Sequence, residues 1–234
     1  MESVTAQGLE ALGLDGRRAA ALARYGTMLL KQNEVMNLTA ITEPEQVARL
    51  HFLDCAALLT CGVPLAGKRL IDVGTGAGFP GIVLKLLEPT LSLSLLDSLG
   101  KRVDWLTAVA EALSLADVTC LHARAEELSL KGEHREQYDV ATSRAVADLP
   151  LLCELCLPYV KVGGHFLAMK GPACEEEISR SAKGVALLGG ALRPSFDYQI
   201  PGTDVTHRVV IVEKTAPTPK GYPRRWAKMQ KSPL

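Results

Sequence analysis

The chain has 234 residues, and its 26 lysine and arginine residues balance 26 aspartate and glutamate residues, so the formal net charge is zero. Hydrophobic residues make up 47% and charged residues 22% of the chain, which is the mixture of a folded globular protein and excludes wholesale disorder. No apolar run approaches the ~18 residues of a membrane-spanning helix, and the N-terminus lacks the features of a signal peptide, so we expect a cytoplasmic protein without membrane contact.

Residues 1–66 are expected to form a helical extension that packs on the core of the protein. Apolar residues recur with a period of about 3.6 over residues 17–32, which predicts an amphipathic helix. Thr42 and Glu45 have the spacing of a capping box, and they predict a second helix that runs to about Leu59.

Two pairs of side chains have spacings that occur in reactive sites. His51 and Asp54 lie three residues apart on the second predicted helix, and Cys153 and Cys156 have the spacing of a redox motif. The cysteines, however, lie in a helix-like apolar run and not at a helix N-terminus, where a thiolate would be stabilised. A zinc site would need another Cys or His pair nearby, and the sequence has none. We therefore expect both pairs to pack within the fold, and we predict no metal site.

From Lys68 onward the sequence alternates between short apolar runs and helix-length segments. The strand-like runs are RLIDVG, SLSLLD, DVTCLHA, YDVATSR and HFLAMK. Strands that alternate with helices of this size predict βαβ units and a parallel sheet. Two further runs, residues 192–200 and 207–214, are too close together for a parallel crossover and predict an antiparallel hairpin. We therefore predict an α/β, Rossmann-like core over residues 67–214, with a parallel sheet that ends in an antiparallel C-terminal hairpin.

Residues 215–234 differ in composition from this core. They contain five basic residues, four prolines and no acidic residue. Such a segment cannot bury a core of its own, so we expect it to order only against a partner. A disordered, solubilising end is the alternative interpretation.

The strongest signal of function is a glycine-rich loop between a predicted strand and a predicted helix. Its glycines are Gly74, Gly76, Gly78 and Gly81. Glycines allow a sharp turn and let a ligand lie against bare backbone, and the following helix N-terminus adds oriented N–H groups. The segment also satisfies the dinucleotide pattern G-x-G-x-x-G, and Asp97 follows about 20 residues later, where a ribose-binding acid belongs. An NAD-dependent oxidoreductase is therefore one interpretation.

Three features together favour S-adenosylmethionine as the cofactor. Asp72 precedes the first glycine by two residues, so its carboxylate would receive an ammonium group or its hydration shell and would repel a pyrophosphate. Asp97 ends the second strand, where it could accept both ribose hydroxyls of either cofactor. The antiparallel C-terminal hairpin is usual in class I methyltransferases and unusual in a dinucleotide-binding domain. We therefore predict a class I S-adenosylmethionine-dependent methyltransferase.

The loop after the fourth predicted strand limits the acceptor chemistry. Methyltransferases of exocyclic amines typically carry an Asn/Asp-Pro-Pro-aromatic loop here, whereas residues 142–145 of this chain are Thr-Ser-Arg-Ala. Methylation of a pyrimidine carbon needs a cysteine nucleophile, and none lies in residues 142–148, although Cys153 is near in sequence. We expect an acceptor that is already nucleophilic, such as a ring nitrogen, which needs positioning more than a base.

An ordered set of motifs resembles the bacterial small-subunit rRNA methyltransferase G family, also called the glucose-inhibited division protein B family. The motifs are NLT, HFLD, LIDVGTGAGFPG, LLDSLGKRV, TSRAVA, LAMKG, HRVVIVEK and YPRR with KSPL, and they span almost the whole chain. Cys55 is a departure, because a serine is expected there. The resemblance implies methyl transfer from S-adenosylmethionine to N7 of a guanosine in the 530 loop of 16S rRNA. We expect a monomer whose partner is 16S rRNA or the small ribosomal subunit, without a stable protein partner.

The resemblance also implies roles for particular residues. Gly74 and Phe79 would line the cofactor loop. Ala125 and Glu126 would flank the adenine. With the residues inferred from the loop, the expected cofactor-binding set is Asp72, Gly74, Gly76, Gly78, Phe79, Asp97, Ala125, Glu126 and Arg144. Because guanine N7 has no proton to remove, Arg144 and Lys170 are expected to position the substrate, and no general base is expected.

The residues expected to hold the RNA are basic and lie in the same motifs or in the C-terminal segment. They are Lys101, Arg102, Lys170, His207, Arg208, Arg224 and Arg225. With this substrate, Tyr222 and Trp226 of the C-terminal segment would stack on the RNA. Deletion of residues 215–234 would then weaken RNA binding, flatten its salt dependence and leave the cofactor affinity nearly intact. Three alternatives stay open: a small-molecule methyltransferase, an NAD-dependent oxidoreductase, and a non-catalytic RNA-binding or assembly factor.

Overall fold

An eight-stranded β-sheet forms the centre of the computed structural model, which describes residues 1–234. Its strands are β1 Arg69–Val73, β2 Ser92–Asp97, β3 Val118–His122, β4 Tyr138–Arg144, β5 Val160–Lys170, β6 Gly190–Leu192, β7 Phe196–Gln199 and β8 Thr206–Lys214. The order is β3-β2-β1-β4-β5-β8-β6, and β7 also pairs with β8. Strands β1 to β5 are parallel, and β8 runs antiparallel to β5. The predicted fold class is confirmed.

Helices cover both faces of the sheet. They are α1 Glu2–Ala11, α2 Ala19–Met36, α3 Pro44–Val47, α4 Asp54–Ala56, α5 Gly81–Leu87, α6 Gly100–Ala112, α7 Ala125–Leu128, α8 Leu149–Cys156, α9 Glu175–Leu187 and α10 Trp226–Lys231. One hydrophobic core joins the N-terminal helices to α5, α6 and one face of the sheet. A second core joins α8, α9 and α10 to the other face. None of the helices is long and apolar enough to cross a membrane.

The helical N-terminal region packs on the core, and Tyr25 and Phe52 are completely buried there. The second predicted helix is a continuous series of helical turns over residues 44–60, close to the expected end. The capping box is wrong, because Glu43 occupies the cap position and no side chain bonds to the first turn. A π-helical turn, Ala48–Leu53, interrupts this helix just before Asp54. Such turns are frequent at functional sites.

The C-terminal hairpin is antiparallel, as predicted, but its first strand is divided. Strands β6 and β7 both pair with β8. Between them lie residues 193–195. Pro194 has no N–H to donate to a ladder, so a continuous strand over residues 192–200 is not favoured.

The C-terminal segment, residues 215–234, is packed against the body of the protein. Arg224 donates to Glu154 from its backbone N–H and its guanidinium, and Glu154 is only 1% exposed. The backbone N–H of Thr218 donates to Glu136, and Met229 is completely buried. The expectation that this segment orders only against a partner is therefore corrected. Of its five basic residues, Arg224 pairs with a carboxylate of the body of the chain.

Candidate cofactor and acceptor site

A cavity of about 500 Å³ opens at the carboxyl ends of the parallel strands. Strand β1 lies between β2 and β4. From here the strand order runs outward through β2 to β3 on one side and through β4 to β5 on the other, so the order of the strands reverses at this point of the sheet. Open α/β sheets bind ligands at such a position. The lining includes seven of the nine residues predicted to bind the cofactor, namely Gly74, Gly76, Phe79, Asp97, Ala125, Glu126 and Arg144.

The glycine loop brings bare backbone to the cavity. Gly74 has φ of 72°, in the left-handed region that favours glycine. A Cβ atom on Gly74 would also lie 2.6 Å from a methyl carbon of Val146, which lines the cavity from the loop after β4. Any other residue at position 74 would therefore both strain the turn and collide with the opposite wall.

Asp72 does not line the cavity, and its expected contact with the cofactor's ammonium group is corrected. Its side chain is completely buried beneath the glycine loop. One carboxylate oxygen accepts hydrogen bonds from the Thr75 hydroxyl at 2.6 Å and the Gly81 N–H at 2.8 Å. Side chains alternate between the faces of a strand, so Asp72 shares the face of Leu70, towards the N-terminal helices. Burial raises its pKa to about 6.

Gly78 is the other predicted cofactor residue that lies outside the lining. A Cβ atom there would lie 2.8 Å from the hydroxyl of Tyr25, which donates at 2.6 Å to the carbonyl of Ala77. Gly78 therefore permits the close approach of helix α2 to the loop. Its role in the structure is packing beneath the site.

Asp97 lies at the end of β2 and is 4% exposed. Its two carboxylate oxygens accept hydrogen bonds from the backbone N–H groups of Gly76 and Leu99, at 3.0 and 2.9 Å. A guanidinium nitrogen of Arg102 lies 3.5 Å from the same carboxylate. Arg102, which was predicted to bind RNA, thus lines the cofactor cavity, whereas its neighbour Lys101 is exposed to solvent.

Arg144 is held in the cavity wall by groups from the N-terminal helices. One guanidinium nitrogen donates to Asp54 at 3.1 Å and to a main-chain carbonyl, and the other donates to Nδ1 of His51 at 3.1 Å. The second oxygen of Asp54 accepts from the Tyr198 hydroxyl and from Nδ1 of His207, both at 2.7 Å. We call these five residues the Arg144 network. His51 and Asp54 therefore hydrogen-bond within the fold, as expected.

The geometry defines the protonation state of His51. Arginine has only donors, so Nδ1 of His51 must be an acceptor and the proton lies on Nε2, which donates to the Thr39 hydroxyl at 2.8 Å. Burial, together with the charge of Arg144, lowers the pKa of His51 to about 4. The ring stacks on Phe79 at 4.5 Å between centroids, and the Arg144 guanidinium lies 4.7 Å from the same ring centre. A neutral imidazole and a cation, which are hydrogen-bonded to each other, thus both contact one aromatic ring of the cavity.

The carboxylate of Asp54 remains ionised despite its burial. Burial alone would raise its pKa, but the hydrogen bond from His207 and the charge of Arg144 outweigh burial and lower it below its usual value. The same hydrogen bond to Asp54 raises the pKa of His207. The charge of Arg144 is therefore balanced within the wall of the cavity.

Most of the residues predicted to bind RNA have partners within the chain. Lys170 lies 2.7 Å from Glu177, and it also donates to the carbonyl of Ala147. It does not line the cavity, so the structure gives it a bracing contact with the loop after β4 in place of direct contact with the acceptor. The other three engaged residues are His207 with Asp54, Arg208 with Asp197 and Glu175, and Arg224 with Glu154. Lys101 and Arg225 remain exposed.

Several lining residues were not predicted as parts of the site. They are Leu38, Thr39, His51, Ser98, Arg124, Val146, Leu155 and Trp226, together with apolar strand ends. Thr39 and His51 lie in the NLT and HFLD motifs, so their presence in ordered motifs was a usable signal. Trp226 carried no such signal, because nothing local places the C-terminal segment beside the sheet edge.

Comparison with known proteins identifies the family. A family model described as rRNA small subunit methyltransferase G matches residues 18–194. The chain belongs to the rRNA small subunit methyltransferase G family. A member named ribosomal RNA small subunit methyltransferase G from Alkaliphilus metalliredigens is 46% identical over 238 residues, covering 100% of both chains. A protein of the same name from Clostridium botulinum (strain Loch Maree / Type A3) is 46% identical over 210 residues, covering 90% of this chain and 88% of that protein.

Solved structures confirm the fold at lower similarity. TrmN from Thermus thermophilus superposes with a TM-score of 0.52 at 22% identity, covering 68% of this chain and 48% of that chain. A predicted O-methyltransferase, Atu636 from Agrobacterium tumefaciens, superposes with a TM-score of 0.54 at 16% identity, covering 70% of this chain and 80% of that chain. The family and the fold are those of S-adenosylmethionine-dependent methyltransferases, which confirms the predicted cofactor.

Proposed function

We propose that this member of the methyltransferase G family transfers a methyl group from S-adenosylmethionine to N7 of a guanosine in the 530 loop of 16S rRNA. Family membership supports a ribosomal RNA of the small subunit as the substrate. The observation that carries the choice of acceptor is a cavity whose one histidine is fully engaged in hydrogen bonds and whose lining contains no cysteine. A cytoplasmic location follows from this substrate.

The residues of the cavity fit the cofactor. Gly74 and Gly76 have positive φ values and offer bare backbone, and Asp97 presents a carboxylate at the end of β2. The volume of about 500 Å³ is within the usual range for a site that holds a small molecule or cofactor. When bound, S-adenosylmethionine supplies an electrophilic methyl group on a sulfonium. We assign Asp97 to the ribose hydroxyls, and Ala125 with Glu126 to the adenine.

Covalent catalysis by cysteine is not supported by the cavity. No cysteine is among its lining residues. Cys153, the nearest cysteine in sequence to the loop after β4, is 1% exposed, and burial raises the pKa of its thiol to about 12. A thiolate nucleophile for a pyrimidine carbon is therefore absent, because only the thiolate attacks.

The imidazole of His51 is also unsuited to remove a proton. Its Nδ1 lone pair accepts the hydrogen bond from Arg144, and its Nε2 already carries a proton. Guanine N7 has a lone pair and no proton, so it needs only to be held in line with the methyl group. Orientation of this kind can supply a large part of a rate enhancement.

Arg144 and Phe79 are the residues we assign to the acceptor base. Two N–H groups of Arg144, on Nε and Nη2, are not used within the chain and can donate to the guanine O6. Phe79 offers an apolar ring beside them. Asp54 balances the charge of Arg144, so a guanine that becomes cationic at N7 is not opposed by a bare positive charge.

The acceptor atom can be tested with 16S rRNA transcribed with either guanosine or 7-deazaguanosine, in which carbon replaces N7. Each RNA is incubated with labelled S-adenosylmethionine, alone and after assembly into small subunits. We expect label in the guanosine RNA and none in the 7-deaza RNA. An exocyclic-amine methyltransferase that acts on 16S rRNA serves as the control for correct folding of the substituted RNA. Equal labelling of the two RNAs would exclude N7 as the acceptor.

A further inference from the structure

Trp226 brings the C-terminal segment to the cofactor cavity. It is the first residue of α10, and it lines the cavity together with Ala125, Glu126 and Leu155. The side chain is half-buried and packs on the hydrophobic core beneath α8. Its indole N–H makes no hydrogen bond within the chain, so it can donate to a ligand.

Two anchors determine where Trp226 lies. Arg224, two residues earlier, forms a bidentate ion pair with the buried Glu154, with nitrogen–oxygen distances of 2.6 to 3.1 Å. Met229, three residues later, is completely buried. Glu154 is next to Leu155 on α8, so one helix both holds the C-terminal segment and lines the cavity. The indole is therefore placed by the fold and does not lie on a free arm.

We propose that Trp226 is part of the cofactor site and closes its adenine end. The inference rests on the proposed function, which assigns the adenine to Ala125 and Glu126. An indole offers a large flat surface, and contact with a purine is favourable by burial and stacking. Because the segment forms one wall of the cavity, deletion of residues 215–234 should weaken cofactor binding. This outcome differs from the expectation from the sequence, in which the deletion leaves the cofactor affinity nearly intact.

The test is the affinity for S-adenosylhomocysteine, measured by calorimetry. We expect Trp226→Ala to bind about tenfold more weakly than the unaltered protein, and Trp226→Phe to lose much less, because a smaller aromatic surface remains. Lys228→Ala is the matched control, since Lys228 is exposed on the same short helix and should not change the affinity. In methyl transfer, Trp226→Ala should raise the KM for S-adenosylmethionine and retain kcat at saturation.

Fluorescence gives a second measurement that does not depend on the stability of Trp226→Ala. The chain has two tryptophans, so Trp105→Phe leaves Trp226 as the only indole. Its emission should change as S-adenosylhomocysteine binds. Unchanged emission during binding, or an unaltered affinity of a folded Trp226→Ala, would overturn the inference and leave the proposed function standing. Failure of the unaltered protein to bind S-adenosylhomocysteine would defeat the proposed function itself.

Discussion

At the scale of single residues, the position of Arg144 depends on side chains that are distant in sequence. Asp54 and His51 precede it by about 90 residues, and they reach it from a helix that lies across the carboxyl edge of the sheet. The hydrogen bonds direct the guanidinium along the Phe79 ring. We infer that His51 acts as a positioning residue, through Arg144, and does not take part in proton transfer.

This role predicts a difference between two substitutions of His51. Asparagine can place its amide oxygen near the position of Nδ1 and so keep the acceptor for Arg144, whereas alanine removes it. We expect His51→Ala to lower kcat by about tenfold, comparable to the loss of one charge-assisted hydrogen bond, and His51→Asn to lose much less. Single-turnover methyl transfer at saturating cofactor measures this difference. Equal losses in the two variants would contradict a positioning role.

The protonation of His51 also predicts how stability depends on pH. Its folded-state pKa of about 4 lies below the unfolded value of 6.5, so the unfolded chain binds more protons in this interval. The stabilisation from a neutral His51 is therefore complete above pH 6.5 and is lost as the pH falls towards 4, by at most about 3 kcal/mol.

Urea unfolding of the protein and of His51→Asn, from about pH 7 to about pH 5, measures this effect. The free energy of unfolding should fall more steeply in the histidine protein. His207 contributes in the opposite direction, because its pKa is raised and its stabilisation is lost as the pH rises. The comparison of the two proteins removes that contribution, since both contain His207. Parallel curves would show that His51 does not stay neutral.

At the scale of elements, the ends of two strands have different functions. The end of β2 presents Asp97 to the cavity, where it also holds the glycine loop through the Gly76 N–H. The end of β5 presents Lys170, which pairs with Glu177 of α9 and braces the loop that contains Val146. The carboxyl end of β2 thus contributes a side chain to the cavity, whereas the carboxyl end of β5 stabilises a loop of the cavity wall.

This division predicts that Asp97→Ala weakens S-adenosylhomocysteine binding far more than Lys170→Ala does. Loss of Asp97 removes both the assigned ribose acceptor and the brace of the glycine loop, and we expect about a hundredfold effect. Lys170 is not a lining residue, so its loss removes no direct contact with the cofactor. Calorimetry on the two variants gives the order directly. The reverse order would mean that the cofactor lies near the end of β5 and not near the end of β2.

At the scale of the whole molecule, the formal net charge is zero, but the basic side chains differ in whether a carboxylate of the chain pairs with them. Arg208 and Arg224 form ion pairs with carboxylates of the chain, whereas Lys101 and Arg225 are exposed to solvent. We expect Lys101→Ala to weaken RNA binding and to reduce its salt dependence by about one counterion. Arg208→Ala, the comparison variant, should retain that salt dependence. Filter binding over a range of salt concentrations measures both, and equal slopes in all three proteins would exclude contact of Lys101 with a phosphate.

The features that were predictable from the sequence are those with local causes. Alternating strands and helices indicated the parallel sheet, and the glycines indicated the cofactor loop, because periodicity and turn chemistry act over a few residues. Asp72 was misplaced because its sequence position shows that it is near the loop but not which face of β1 it occupies. Trp226 and Arg224 were misplaced because Glu154, their anchor, lies 70 residues away from Arg224. Long-range pairing of this kind leaves no local pattern.

The decisive experiment is transfer of a labelled methyl group from S-adenosylmethionine to small ribosomal subunits, and separately to deproteinised 16S rRNA, from cells that lack this enzyme. Nuclease digestion and chromatography then identify the labelled nucleoside and its position. We predict 7-methylguanosine in the 530 loop as the labelled product. Label in another nucleoside, or no label in either substrate by a protein that binds S-adenosylhomocysteine, would exclude the proposed function.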